Sequence, residues 1–304
     1  MYDIIIIGAG PAGLTAAIYA RRAEKNVLVI EKDTFGGQIT SSPKVENYPG
    51  FASISGNELA DRLIEQTIEQ GAMIELDKVV SIEGTPGNYV VRGESKSYEG
   101  KAVIIATGSH HRTLGIEGEA RLTGAGVSYC AVCDGAFFRG QSVAVIGGGN
   151  SALQDAVLLS DGCEKVYVVQ NLAYLTGENR LKNILLERPN VEIIYSSIVT
   201  RIVGNETLRS IEIQNTENGE RRQLVVEGMF VCIGQKPENE PFEGVVKLDQ
   251  RGYITADEGC IPYGSPDGIF VAGDCRTKEI RQVTTATSDG AVAALAAIRF
   301  LDEL

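Results

Sequence analysis

At 304 residues, with 43 % apolar and 22 % charged side chains, the chain has the makeup of an ordinary globular protein with room for two sizeable cores. A net charge of −12 excludes a general nucleic-acid binder, because no large basic stripe is left to neutralise phosphates. Six cysteines are too few for a disulfide scaffold, and the late apolar run Ala291–Ile298 is too short to span a bilayer.

The first strand is predicted at Ile4–Ile7, a continuous apolar run suited to a buried parallel strand. No charged and apolar leader precedes it, so cytoplasmic residence is the expectation. Gly8, Gly10 and Gly13 then supply G-x-G-x-x-G as a helix opens. They allow the tight turn, the approach of a pyrophosphate to the backbone, and close helix–strand packing. A second strand follows and ends at Glu31, where a carboxylate can accept hydrogen bonds from ribose hydroxyls. Strand, glycine loop, helix, strand and acid in this order predict a dinucleotide site.

The pattern recurs at "QSVAVIGGGNSALQDAVLL". Val143–Ile146 form the strand, and Gly147, Gly149 and Ala152 take the three small-residue positions. The interval from Gly8 to Glu31 equals that from Gly147 to Gln170, so the two units align without a gap. "AVIIATGS" after the first unit and "MFVCIGQKP" after the second are counterparts, each a strand running into a glycine turn. "GIFVAGDC" reads as a further buried strand ending at Asp274, and the alanine-rich end of the chain reads as a helix. The expected fold is α/β, with two Rossmann-like dinucleotide-binding domains, the second inserted into the first. Residues 1–112 and 241–304 make the outer domain and 113–240 the inserted one, with a pair of hinges near Arg112 and Pro241.

"SYCAVCDGAFF" carries the chemistry. Cys130 and Cys133, two residues apart, can close a small disulfide ring, and at a helix start the thiolate is favoured by the helix dipole. Asp134 follows at once as a proton donor and acceptor. A zinc half-site and an inert buried pair are the alternatives. Zinc needs two more ligands, whereas Cys163, Cys232, Cys260 and Cys275 are isolated and read as packing residues, so no metal is expected. Cys275 is the least settled of these, because it follows the "GD" turn. His110 and His111 read as a solvated turn, since Asp134 already fills the acid–base role.

Over essentially its whole length the sequence resembles low-molecular-weight thioredoxin reductases. "GAGPAG", "GGQIT", "VENYPG", "ATG", "CAVCDG", "GGGNSA", "AGD" and "RQV" occur in the family's order. The resemblance implies FAD in the outer domain, with Glu31 on its adenosine ribose and Gly273 and Asp274 near the ribityl chain. Gln38, Asn47, Arg281 and Gln282 would line or support the flavin, and a helix N-terminus near Thr285 would favour its anionic reduced form. It also implies a homodimer with thioredoxin as substrate. Electrons would pass from reduced flavin to the Cys130–Cys133 disulfide, with Cys133 on the flavin side, Cys130 as interchange thiol and Asp134 moving the proton. Because the pair and the second glycine loop share the inserted domain, rotation about the hinges would present them to the flavin in turn.

The resemblance breaks at one place. The family's H-R-R-x-x-x-R after the second strand, whose arginines clamp the 2′-phosphate of NADPH, is here Gln170, Asn171, Leu172 and Thr176. Losing one charge-assisted contact costs about 1.5–3 kcal/mol, so NADPH is disfavoured. An acid at position 170 would suit NADH, whereas Gln170 and Asn171 offer only neutral hydrogen bonds. The second nucleotide site (Gly147, Gly149, Ala152, Gln170, Asn171) would take NADH weakly, take another ligand, or persist because the fold needs its turn. In the last case electrons arrive from a protein such as ferredoxin, for which Arg276, Lys278 and Arg281 offer a small basic cluster. A conventional NAD(P)H-dependent reductase, a flavin dithiol oxidase and a non-enzymatic redox sensor are the competing functions; only the reductases need both the paired cysteines and turnover with a protein disulfide.

Overall fold

The computed structural model describes residues 1–42 and 44–304. The chain forms two compact units, Met1–His110 with Lys236–Leu304, and His111–Gln235. Their edges fall a few residues before the crossings expected at Arg112 and Pro241.

The outer unit begins with β1 (Tyr2–Ile7), α1 (Pro11–Arg22) and β2 (Val27–Glu31). α1 starts at the loop because Gly10 is its extended N-cap and Pro11 sits in its first turn, where a missing N–H costs nothing. Next come α2 (Gly56–Glu69), capped by Ser55 Oγ on the Glu58 N–H, and β3 (Met73–Leu76). An antiparallel meander of β4 (Val79–Thr85), β5 (Asn88–Gly93) and β6 (Ser97–Ile105) follows, and β7 (Ser109–His111) leads out.

The inserted unit holds α3 (Glu119–Leu122), β8 (Val127–Ser128), α4 (Ala131–Asp134), β9 (Ser142–Ile146), α5 (Asn150–Ser160) and β10 (Lys165–Val169). It continues with α6 (Asn179–Leu186), β11 (Val191–Ile194), and a second meander of β12 (Ser197–Val203), β13 (Ser210–Asn215) and β14 (Arg221–Val225). β15 (Gly228–Val231) then completes a parallel sheet ordered β11-β10-β9-β15-β8. The meander stands apart as a three-stranded antiparallel sheet.

After β16 (Gln235–Pro237) the chain supplies β17 (Ile269–Val271) and the long α7 (Val283–Asp302) to the outer unit. The outer sheet runs β3-β2-β1-β6-β5-β4, with β17 parallel beside β6. Alternate residues of β1 feed opposite cores: Ile4 and Ile6 pack with α1 and α7 alanines, Ile5 and Ile7 with Val79, Phe242 and Val271. Gly290 lets α7 lie on α1, since a Cβ there would stand 2.2 Å from the Ala12 carbonyl oxygen.

The internal repeat is physical as well as textual. β3-β2-β1-β6 and β11-β10-β9-β15 have the same order and direction. The Gly8 N–H donates to Ile30 at 2.8 Å, and the Gly147 N–H donates to Val169 at 2.9 Å. The fold is thus two Rossmann-like units built on one plan.

Candidate functional site: a disulfide and two glycine loops

Cys130 and Cys133 are joined as a disulfide, with Cα atoms 5.3 Å apart. Cys130 is the extended N-cap of α4, and its Sγ accepts a 3.2 Å hydrogen bond from the Cys133 N–H. Ser128, at the end of β8, holds the segment from behind. Its Oγ accepts from the Cys130 N–H at 3.1 Å and donates to Asp134 Oδ2 at 2.6 Å. Burial pushes the Asp134 carboxyl above its ordinary range, and the Ser128 bond offsets only part of this. Oδ1 of Asp134 is buried with no partner among the described residues. A carboxyl that holds its proton more firmly than usual beside a disulfide can give and take one as the sulfurs change state.

The outer glycine loop is shaped for a ligand. Cβ atoms at Gly8 and Gly13 would lie 2.3 Å from Ala106 O and 1.9 Å from Gly8 O, so the fold requires both glycines. Gly10 differs: a Cβ there would meet nothing within 4 Å, which leaves its backbone open to a pyrophosphate. Gly37 packs on Gly10, and the Gly36 N–H donates to Ala9 at 2.8 Å, bringing the "GGQ" segment to the loop. Glu31 is buried, and its carboxylate accepts from the N–H groups of Ala9, Lys32 and Asp33 at 2.8, 2.9 and 3.0 Å. Two carboxylate oxygens have lone pairs beyond those three bonds, which suits a ribose diol.

The remaining outer residues gather from distant stretches of chain. Asn47 Nδ2 donates to Gln282 Oε1 at 3.2 Å, and Gln282 caps α7 in a reciprocal box with Thr285. Arg281 lies over the Tyr253 ring at 4.2 Å and donates to the Asp274 carbonyl. Asp274 has a buried Oδ1 with no partner among the described residues, and burial raises its carboxyl despite the pull of Lys278 and Arg281. An orphaned buried carboxyl oxygen beside a glycine loop is what a polyhydroxylated chain would satisfy. These residues fit FAD.

Several sequence expectations change. His110 and His111 lie on β7 rather than on a solvated turn: His110 Nδ1 is 2.6 Å from Gln38 Nε2, and His111 stacks on Tyr129 with centroids 5.1 Å apart. The basic cluster is also not free. Arg276 and Lys278, with side chains 11 % and 9 % exposed, are both engaged by Asp289, which also accepts from the Gly273 N–H at 3.0 Å. Of the three cations only Arg281 lies outside this network. Cys275 is fully buried, with its thiol pushed up to about 11 by burial, and packs as Cys163 and Cys260 do. Those three thiols donate to backbone carbonyls, whereas Cys232 donates from Sγ to a carboxylate, Asp155 Oδ2, at 3.1 Å. Asp289, Ser128 and Asp155 escape sequence reading because a lone acid or serine in a helix or strand has no periodic signature. The only hint is an acid placed among alanines in "TSDGAVAAL".

In the inserted unit, Gly147 is required by the fold, since a Cβ there would stand 2.4 Å from Cys232 O. A Cβ at Gly149 would meet only Thr176 Oγ1 at 3.8 Å, and Ala152 packs against Gly147. Gln170 is 4 % exposed and lies on Gly148. Its Nε2 donates to Tyr174 O at 3.0 Å and its Oε1 accepts from the Asn171 N–H at 3.1 Å. Thr176 donates from N at 2.8 Å and from Oγ1 at 3.2 Å to the Gly148 carbonyl.

A paired cysteine disulfide within one of two nested nucleotide-type units defines a class, and the comparisons agree with it. Residues 2–290 match the pyridine nucleotide-disulphide oxidoreductase family. A Listeria innocua thioredoxin reductase is 40 % identical over 100 % of this chain and 95 % of its own. A Clostridium pasteurianum protein described as a 34.2 kDa protein in the rubredoxin operon is 41 % identical over 98 % of this chain and 97 % of its own. The crystal structure of a Streptococcus pyogenes thioredoxin reductase superposes with a TM-score of 0.95 at 39 % identity, covering 100 % of this chain and 99 % of that one. The chain belongs to the pyridine nucleotide-disulphide oxidoreductase family. Within it, the protein is a flavin-dependent disulfide oxidoreductase of the thioredoxin reductase type.

Proposed function

We propose that the protein is an FAD-dependent reductase of thioredoxin, working as a cytoplasmic homodimer, whose electrons come from a donor other than NADPH. Gly10, Glu31, Gln38, Asn47, Asp274, Arg281 and Gln282 would hold FAD, which supplies a two-electron reductant when bound. The Cys130–Cys133 disulfide receives two electrons and becomes a dithiol. Cys130 then attacks a disulfide sulfur of thioredoxin, and Cys133 attacks Cys130 in turn, restoring the internal bond and releasing thioredoxin as its dithiol. Asp134 gives and takes the proton that each sulfur loses or gains.

The donor reading rests on one observation: both ends of the Gln170 amide are engaged by the chain itself, and no cation stands at positions 170, 171, 172 or 176. A 2′-phosphate would meet apolar and neutral groups there. The name of the Clostridium pasteurianum relative, which ties it to a rubredoxin operon, supports a small redox protein as donor, and ferredoxin is the proposed one. Its docking would not use Arg276 or Lys278, which Asp289 engages. The open backbone at Gly149 favours NADH as the second reading.

The test is anaerobic mixing of oxidised holoenzyme with reduced ferredoxin, NADH or NADPH while flavin absorbance is followed. Bleaching by ferredoxin, or slowly by millimolar NADH, is expected, whereas rapid bleaching by micromolar NADPH would overturn the donor assignment.

A further inference from the structure

One histidine of the outer unit is committed to a glutamine that stands beside the glycine loop. Gln38 belongs to a short 3₁₀ turn, Gly37–Ser41. The backbone just before it is fixed on the loop: the Gly36 N–H donates to Ala9 O, and a Cβ on Gly37 would stand 3.1 Å from Gly10 Cα. The Gln38 side chain is exposed, so on its own the amide would sample many rotamers and both orientations. His110 removes that freedom. Its Nδ1 lies 2.6 Å from Gln38 Nε2. An amide nitrogen only donates, so Nδ1 accepts and the ring hydrogen sits on Nε2. Nε2 is buried with no hydrogen-bond partner among the described residues, and Glu238 Oε1 faces it at 3.7 Å. The other oxygen of Glu238 is held by Lys32. A carboxylate on that side favours the hydrogen on Nε2 and leaves the Nδ1 lone pair for Gln38. Lys32, Gln38, His110 and Glu238 all belong to the outer unit.

We propose that His110 is a positioning residue for the flavin site, holding the Gln38 amide so that its nitrogen is engaged by the imidazole and its oxygen is the group left for the cofactor. The observation that carries this is the 2.6 Å contact between a residue adjoining the loop and a ring whose second nitrogen faces a carboxylate. Two physical effects follow. The side chain is ordered before the cofactor arrives, so binding does not have to order it. The free end of the amide is an acceptor, which suits an N–H or O–H donor of the ligand and not a carbonyl or phosphate oxygen. The inference rests on the reading of the outer loop as an FAD site and adds a residue that acts on the cofactor only through Gln38.

The test dilutes FAD-loaded protein, wild type and variants, and reads the dissociation constant from the fluorescence that released FAD recovers. His110→Phe fills the place of the ring without an acceptor, and is expected to raise the dissociation constant about three- to tenfold, the worth of one hydrogen bond. His110→Ala removes the ring altogether and keeps the test open should the phenylalanine variant fail to fold. His110→Asn is expected to stay within about twofold of wild type, because its Oδ1 takes the place of Nδ1 and accepts in the same way. Gln38→Ala decides the route. Where His110 acts through Gln38, removing the ring in that background changes the dissociation constant no further, so the coupling in the double-variant cycle is as large as the single effect. Losses of equal size in both backgrounds would mark a purely structural role for the ring and overturn the proposal. Dissociation constants within about twofold of wild type in both His110→Phe and His110→Ala would overturn it as well. Wild-type protein that retains no FAD after reconstitution would instead sink the flavin reading itself.

Discussion

Ser128 Oγ donates a 2.6 Å hydrogen bond to Oδ2 of Asp134, while Oδ1 of the same carboxyl is buried without a partner among the described residues. Burial raises the carboxyl above the ordinary value of 3.8, and the single Ser128 bond, which favours the charged form, offsets only part of that. Between 3.8 and the raised value the native state binds more protons than the unfolded chain. Stability therefore falls as pH rises through that window. Asp134→Asn is expected to remove this slope and to slow proton-coupled interchange with thioredoxin by about 10²-fold or more. Denaturant melts against pH and stopped-flow interchange rates measure the two effects separately.

The glycines separate fold from ligand. Gly147→Ala forces a side chain into φ +132° and against Cys232 O, and is expected to destabilise the protein by about 1–3 kcal/mol. Gly149→Ala keeps an extended backbone at φ −84° and meets only Thr176 Oγ1, so the fold is expected to tolerate it. With reduced ferredoxin as donor its turnover should stay within about twofold of wild type. A large rise in KM for NADH in that variant, with thermal stability unchanged, would identify the loop as the electron entry site.

Gly10→Ala is the matching variant in the outer unit. Nothing lies within 4 Å of the added Cβ, so apoprotein stability should not change. FAD affinity is expected to fall steeply, because the methyl group fills the approach of the pyrophosphate. Flavin fluorescence on dilution reads the loss.

Glu31→Gln replaces an oxygen by an NH₂ group facing backbone N–H donors that both carboxylate oxygens now accept. One donor must lose its partner, at a cost of about 1–3 kcal/mol. Calorimetry of the apoprotein is the check, with flavin content as a second readout.

Asp289 joins Arg276, Lys278 and the Gly273 N–H within a buried network beside Asp274. Burial alone would raise its carboxyl, but the bonds to Arg276 and Lys278 outweigh that and hold it below the ordinary 3.8. A depressed acid stabilises the native state above its unfolded value, and the contribution is lost as pH falls through the folded value. Asp289→Ala leaves two buried cations unpaired and is expected to cost about 3–5 kcal/mol. Urea melts at neutral pH should show this, and the difference from wild type should shrink in acid.

The repeat, the nested order and the redox pair were legible because each rests on local rules. A strand, a glycine turn and a helix leave a fixed pattern, and two cysteines at one spacing at a helix start announce their chemistry within six residues of Ser128. The histidines and the basic cluster were not legible. A sequence lists cations but not the acid that meets them, and Asp289 arrives from a helix at the far end of the chain to engage Arg276 and Lys278.

By itself, then, the sequence determined the two Rossmann-like units, the position of the disulfide, and the absence of a cation at positions 170, 171, 172 and 176. Each is a statement about which residue types stand at which spacing. Only the tertiary structure decided that Gln170 is folded onto Gly148 with both amide ends engaged, and that Asp134 is half-satisfied. These depend on burial and on partners brought together by the fold, and burial is a property of the packed chain that no local pattern encodes.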